Sequence, residues 1–362
     1  MDPITRLKTS ATVADVAREA GVSKATAARV LGGYGTVSDQ VKEAVTAAAR
    51  ALDYRPNELA RSMTTGRSGT IGVVVGDIEN PFFSLAVRGI TDVARQAGFT
   101  VILTNSGEDV STERAAVKTL LAKRVDGLIV SPAKESDVEH LRDIARSGRP
   151  LALLDRGIDD FDVDTAIVDD RHAAEGITRQ LIELGHRHIA YLTACDTSDH
   201  RFRQLSDINT GSVRRRVEGF LDVCRKAGLP PMEQWVRMGA STPELARQIS
   251  AQMLNASDRP TAIIASDSLI GLEVFKIARM MGLSIPDELS LISFHDADWT
   301  AVTSPPVTVV SQPVYLLGEA VAKLLVERLD GSVTSARRIV LQTEVIARAS
   351  VGSASTTNAR AQ

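Results

Sequence analysis

Only two cysteines, Cys195 and Cys224, occur in the 362 residues, which is too few for a disulfide framework or a cysteine metal cluster. No run approaches the roughly 18 consecutive apolar residues of a membrane span. The opening Met1-Asp2-Pro3-Ile4-Thr5-Arg6 has no apolar stretch of the secretory kind. A reduced, cytoplasmic setting with no membrane partner is expected. Charge of one sign is not in excess either: 42 Lys+Arg against 45 Asp+Glu gives a formal net charge of −3, which taken whole argues against polyanion binding. The phosphate-cradling G-x-x-x-x-G-K-[ST], a G-x-G-x-x-G after a strand and the G-x-S-x-G nucleophile turn are all missing. His186 and His188 flank a strand start without a third zinc ligand, and Ser266-Asp267 offers one carboxylate without an acid partner. Neither catalysis, nor a cofactor, nor a metal is expected.

What is present is divided unevenly. Residues 1–66 carry nine bases against seven acids, a net of +2, which leaves −5 for the remainder. A mildly basic head on an acidic body is a weak pointer to nucleic acid. The length, at about 150 residues per domain, suggests about 2.4 domains.

Patterning separates the same two regions. Thr12 is placed to cap a helix with an apolar stripe of Val13, Val16, Ala17 and Ala20. Gly21-Val22 breaks it, and Ser23 caps a second helix through Ala27, Val30 and Leu31. Ser38 caps a third, with Val41, Val45, Ala48, Ala49 and Leu52 on one face, which must stop before Pro56. The spacing from Thr12 to Leu31 is that of a helix-turn-helix, in which Gly21 supplies the positive φ of the turn. The second helix then exposes Lys24, Ala25, Thr26 and Arg29. In a major groove, Lys24 or Arg29 would donate to guanine and the Ala25 methyl would meet thymine. A generic three-helix bundle with solvated charges is the alternative. Between Pro56 and Gly66 the chain is too short for a stable lone helix. It is either a flexible linker or a hinge that folds when DNA and a partner subunit hold it, with Ala60 allowing close approach and Met63 wedging a base step.

From residue 70 short apolar strands alternate with helical segments. The expected strands are 71–75, 100–103, 127–130, 151–154, 165–168, 188–192, 262–265, 289–294, 307–310 and 339–343. Their number and the intervening helices predict an α/β body of two doubly wound lobes built on parallel sheets. The small, polar residues 350–362 are expected to be a disordered tail.

The residues Thr12–Leu31, Tyr54-Arg55-Pro56-Asn57, Ala60-x-x-Met63, Ile71-Gly72-Val73, Asn80-Pro81-Phe82-Phe83, Val125-Asp126-Gly127-Leu128-Ile129, Leu184-Gly185-His186-Arg187, Arg216-x-x-Gly219-Phe220 and Pro305-Pro306-Val307-Thr308 together resemble the lactose-repressor (LacI/GalR) family of bacterial transcription regulators along nearly the whole chain. The resemblance implies an effector-controlled regulator, most often a repressor. It implies a homodimer whose heads each read half of a near-palindromic double-stranded operator, and a two-lobed body like periplasmic sugar-binding proteins. A small molecule between the lobes then shifts their closure and orders or melts the hinge. The expected division is 1–56 head, 57–66 hinge and 67–349 body. Lobe 1 would span about 67–168 and 313–330, and lobe 2 about 169–312 and 331–349, with crossings near Asp169, Gln312 and Asp330.

Position by position, the resemblance assigns DNA contact to Thr12, Ser23, Lys24, Ala25, Thr26, Arg29, Asn57, Ala60 and Met63. It assigns effector contact to Phe82, Phe83, Ser131, Asp155, Arg216, Ser266 and His295, and Trp299, which follows soon after His295, is expected to supply a further ring face to the effector. Ala25 and Met63 depart from the longer polar residue and the leucine wedge usual at those places. His295 stands where the family commonly has an aspartate gripping two hydroxyls. Beside Arg216 it points to an anionic effector, a sugar acid or sugar phosphate. The alternative is a neutral His295 satisfied by Asp296, with an uncharged ligand. A stand-alone solute-binding protein is the competing function, but it would have no use for residues 12–31.

Overall fold

The computed structural model describes residues 11–32, 35–54, 66–195, 197, 201–332 and 334–354. Two separate units emerge, divided after Gly69.

In the first unit, α1 (Val13–Glu19) starts where Thr12 Oγ1 accepts the Asp15 amide at 3.4 Å and the Asp15 carboxylate accepts the Thr12 amide at 2.9 Å. This reciprocal pair satisfies two donors that a helix start otherwise leaves open. Gly21 takes the turn at φ +66°. Ser23 Oγ accepts the Thr26 amide at 3.0 Å as α2 (Lys24–Gly32) begins. The expected cap at Ser38 is not made by its side chain, and α3 (Asp39–Ala51) instead has the acid Asp39 in its first turn, which the helix dipole favours. Val16, Ala17, Ala27, Val45 and Ala48 form the small core, with Val22, Val30 and Leu52 at its margin.

The second unit holds two six-stranded sheets. The first is ordered β11-β5-β4-β3-β1-β2 and is parallel throughout. Its strands are β1 (Thr70–Val75), β2 (Thr100–Asn105), β3 (Gly127–Val130), β4 (Leu151–Leu154), β5 (Asp164–Val168) and β11 (Arg338–Leu341). The second is ordered β12-β10-β9-β8-β6-β7. It comprises β6 (Ile189–Leu192), β7 (Val236–Arg237), β8 (Ala262–Ala265), β9 (Ser290–Phe294), β10 (Thr308–Ser311) and an antiparallel edge strand β12 (Glu344–Ile346). Each central strand is buried along its length because helices cover both faces. On lobe 1 these are α4 (Pro81–Gln96), α5 (Val110–Ala122), α6 (Glu139–Arg146) and α12 (Val314–Leu329). On lobe 2 they are α7 (Asp170–Glu183), α8 (Gly211–Lys226), α9 (Pro243–Leu254), α10 (Ser268–Met280) and the short α11 (Asp298–Val302).

The chain changes lobe after β5 at Asp169 and after β10 at Gln312, but the third crossing is not at Asp330. After α12 the chain stays in lobe 1, where Arg338–Leu341 pair in register with Thr165–Val168. The fully buried Asp164 accepts from Arg328 Nε at 2.8 Å and from the Arg337 amide at 2.9 Å, fixing this edge strand. The crossing therefore falls between Leu341 and Glu344. Nor does the ordered body stop at 349. Ser350 is fully buried, its hydroxyl donating to Leu291 O at 2.6 Å and accepting the Thr308 amide at 2.8 Å. The Ala354 amide reaches Leu184 O at 2.9 Å. Residues 355–362 lie outside the described residues. No described helix is long and apolar enough to cross a membrane.

Candidate functional site

In the first unit, α2 presents Lys24, Ala25 and Arg29 to solvent, while Ala27 turns fully inward. Thr26 is half-buried and its hydroxyl lies 2.8 Å from Ser23 Oγ, so both groups serve the helix start. Thr12 likewise spends its hydroxyl on Asp15, at 2.7 Å. Two basic side chains flanking a methyl on one exposed helix face is an arrangement suited to a major groove. Asn57, Ala60 and Met63 lie outside the described residues.

In the second unit, the carboxyl ends of the parallel strands of both lobes border one cleft of about 550 Å³. Chain ends of this kind gather side chains from many strands, which is why such sheets bind ligands there. Asp155 follows β4 and His295 follows β9, each in the left-handed region, at φ +65° and +70°. Phe82, whose amide is capped by Asn80 Oδ1 at 3.0 Å, sits edge-on to Phe83 at 5.3 Å and to the His295 ring at 6.2 Å. Phe82, Phe83, Asp155, Arg216, Ser266 and His295, six of the eight residues expected to contact the effector, border the cleft.

Two predicted residues do not. Ser131 is fully buried behind the cleft, its amide donating to Val74 O at 2.9 Å. Trp299 packs against Phe275, with centroids 6.2 Å apart, as part of the lobe 2 core. Sequence proximity to His295 suggested a ring in the cleft, but α11 turns that ring inward against α10.

The expected pair of positive donors is also not there. Arg216 is buried; its Nε donates to Asp170 Oδ1 at 2.6 Å, its Nη1 to Ser266 O at 2.8 Å, and its guanidinium lies 4.2 Å from the Phe294 ring centroid. Burial pushes the His295 imidazole below the usual histidine range, an effect that outweighs the nearby Asp296 carboxylate. Asp296 does not bond to His295. It receives Arg348 Nη2 at 2.7 and 3.0 Å and the Thr300 hydroxyl at 2.8 Å. His295 is thus a neutral ring whose Nδ1 makes no hydrogen bond among the described residues, and Asp155 Oδ1 and Gln312 Nε2 are in the same condition.

Sequence reasoning missed Arg156, which follows Asp155. Its guanidinium holds the Glu108 carboxylate, donates to Pro132 O at 2.9 Å and lies 5.7 Å from the Phe83 ring centroid. Each buried arginine at the cleft therefore already has a carboxylate. Glu108 and Asp170 sit 48 and 46 residues from their partners, separations that no local pattern reveals.

Comparisons with known proteins agree with this geometry. Residues 12–57 match the family described as "Bacterial regulatory proteins, lacI family". Residues 68–349 match "Periplasmic binding proteins and sugar binding domain of LacI family". The chain is 31% identical over 349 residues to the HTH-type transcriptional repressor PurR of Yersinia pestis bv. Antiqua, spanning 94% of this chain and 97% of that protein. Among solved structures it is similar to the Lac repressor dimer bound to operator and the anti-inducer ONPF, at 26% identity and a TM-score of 0.81, over 95% of this chain and all of that one. It is also similar to the transcriptional regulator CelR–cellobiose complex, at 26% identity and a TM-score of 0.68, over 94% and 99% of the two chains. The chain belongs to the LacI family of bacterial regulatory proteins, and it is a DNA-binding transcription regulator rather than an enzyme.

Proposed function

We propose that this protein is a cytoplasmic, dimeric repressor whose affinity for a near-palindromic operator is set by an uncharged, polyhydroxylated effector such as a mono- or disaccharide. One observation carries the effector class: the unpartnered polar atoms at the cleft, among the described residues, are a carboxylate oxygen of Asp155, a ring nitrogen of a neutral His295, the side-chain amide nitrogen of Gln312 and Nε of the carboxylate-paired Arg156. A carboxylate accepts and a neutral imidazole offers one donor and one acceptor, which together match hydroxyl groups. An anion would meet Asp155 while both buried arginines are already neutralised. The Phe82 ring supplies an apolar face for the C–H side of a sugar ring. Residues 1–56 read DNA, 57–66 form the hinge, and the lobes respond to the effector. Linkage then requires operator and effector to change each other's affinity by the same factor.

Calorimetric titration with neutral sugars, sugar acids and sugar phosphates tests the effector class. Heat is expected from a neutral sugar, and exclusive binding of the anionic compounds overturns it. Deleting residues 1–66 tests the division of labour: operator binding should vanish while sugar binding persists. A stand-alone solute binder would lose nothing measurable.

A further inference from the structure

We propose that Glu135 is a positioning residue that straps lobe 1 to the first turn of α8 in lobe 2, holding one edge of the cleft closed. The Glu135 amide donates to Asn209 O at 3.0 Å, across the lobes. Its carboxylate, only 8% exposed, pairs with Arg214 of α8. A Cβ at residue 211 would overlap that carboxylate, so the seat exists because α8 opens with Gly211. Beside it, Ser136 Oγ lies 3.5 Å from Asn209 Oδ1, and Ser212 Oγ donates to Asp155 Oδ2 at 3.3 Å.

The loop that carries Glu135 is itself anchored in lobe 1. The fully buried Glu113 accepts the Ala133 amide at 2.6 Å and contacts His140 Nε2 at 2.7 Å, and Arg156 holds Pro132 O. A strap rooted this firmly transmits the position of one lobe to the other. Opening the cleft must break the Glu135–Asn209 backbone bond and separate a largely buried charge pair, which leaves each charge uncompensated. The consequence for effector affinity rests on the effector reading above; the strap itself does not.

Hydrogen exchange on the full chain, without added ligand, tests the strap. Glu135→Gln and Arg214→Gln should each raise amide exchange in residues 133–136 and 208–212 by tenfold or more. Strands β3 and β8 should keep their protection. Gly211→Ala should act likewise with both charges retained, because its Cβ displaces the carboxylate. The Glu135→Gln/Arg214→Gln double variant should exchange no faster than either single one. Wild-type exchange in all three single variants overturns the proposal. So does equal acceleration in β3 and β8, which would mark general destabilisation, or strictly additive effects in the double variant.

Discussion

Asp155 and His295 occupy matching places in the two lobes. Each ends the strand third from its sheet's edge, β4 or β9, in the left-handed region, and each sends its amide 2.9 Å to the adjacent strand, to Ala166 O or Val310 O. One sheet thus presents an acceptor and the other a neutral ring to the same cleft. Asparagine tolerates positive φ better than most residues. Asp155→Asn should therefore keep the fold while removing the charged acceptor. We expect sugar affinity to fall by about tenfold or more, from a charged hydrogen bond of about 1.5–3 kcal/mol, with little change in the unfolding midpoint. Calorimetry and thermal unfolding on one preparation check both halves.

The DNA face yields to a similar separation. Lys24→Ala and Arg29→Ala remove exposed side chains from α2 without touching the Val16–Ala27–Val45 core. A residue that reads a base should cost about 1–3 kcal/mol and relax preference at one operator position, whereas one that meets phosphate should lower the salt slope by about 1. Anisotropy titrations against an operator selected from random DNA, at several salt concentrations, assign each residue to one role. Unchanged affinity in both variants would remove α2 from the interface.

Much of this was legible in the sequence because a buried parallel strand is an uninterrupted apolar run. Each of the ten expected strands overlaps an observed one. Val236–Arg237 carries no readable period in two residues, and β12 lies just beyond the expected strand 339–343, separated from β11 by only Gln342 and Thr343. The cleft residues at strand ends could be placed from the family resemblance, but their partners could not. Asp296 adjoins His295 in sequence yet turns to Arg348, which is fixed only when the chain returns from lobe 1. Trp299 was misplaced for the same reason: direction on a five-residue helix depends on what it packs against.

Arg216 ties three elements together, its own α8, the start of α7 through Asp170 and the end of β8 through Ser266 O. Burial raises the Asp170 carboxyl, while contact with the guanidinium opposes that shift. Removing one member strands the other charge in the interior. Arg216→Met should destabilise the body by about 3–5 kcal/mol, whereas Arg216→Met with Asp170→Leu should recover most of it. Urea unfolding of the wild type, the two single variants and the double variant checks the cycle. A double variant whose loss equals the sum of the two single losses would mean that the pair is not coupled.

Residues 350–354, expected to belong to a loose tail, close lobe 2, and their hold should depend on pH. His186 Nε2 donates to Gly352 O at 3.0 Å while Nδ1 lies 2.8 Å from Thr261 Oγ1, an arrangement a neutral ring satisfies by accepting the threonine proton. Burial depresses the His186 pKa, as it does that of His295. An unfolded histidine titrates near 6.5. The stability contributed by the neutral rings is therefore complete above that value and declines as pH falls below it, because the unfolded chain then takes up protons first. Between about pH 7.5 and 5.5 the buried Asp170 carboxyl, raised to about 7, titrates with the opposite sign, so the histidine contribution is read as a difference: the thermal midpoint of His186→Gln should lose less, or gain more, on acidification than that of the wild type. Ser350→Ala, which leaves the buried Thr308 amide and Leu291 carbonyl without their hydroxyl partner, should cost about 1–3 kcal/mol at either pH. Truncation after Ala349 removes these bonds and the Gly352 acceptor together. It should destabilise the body by more than Ser350→Ala alone; midpoints equal to those of Ser350→Ala would show that residues 351–354 add nothing to the Ser350 bonds.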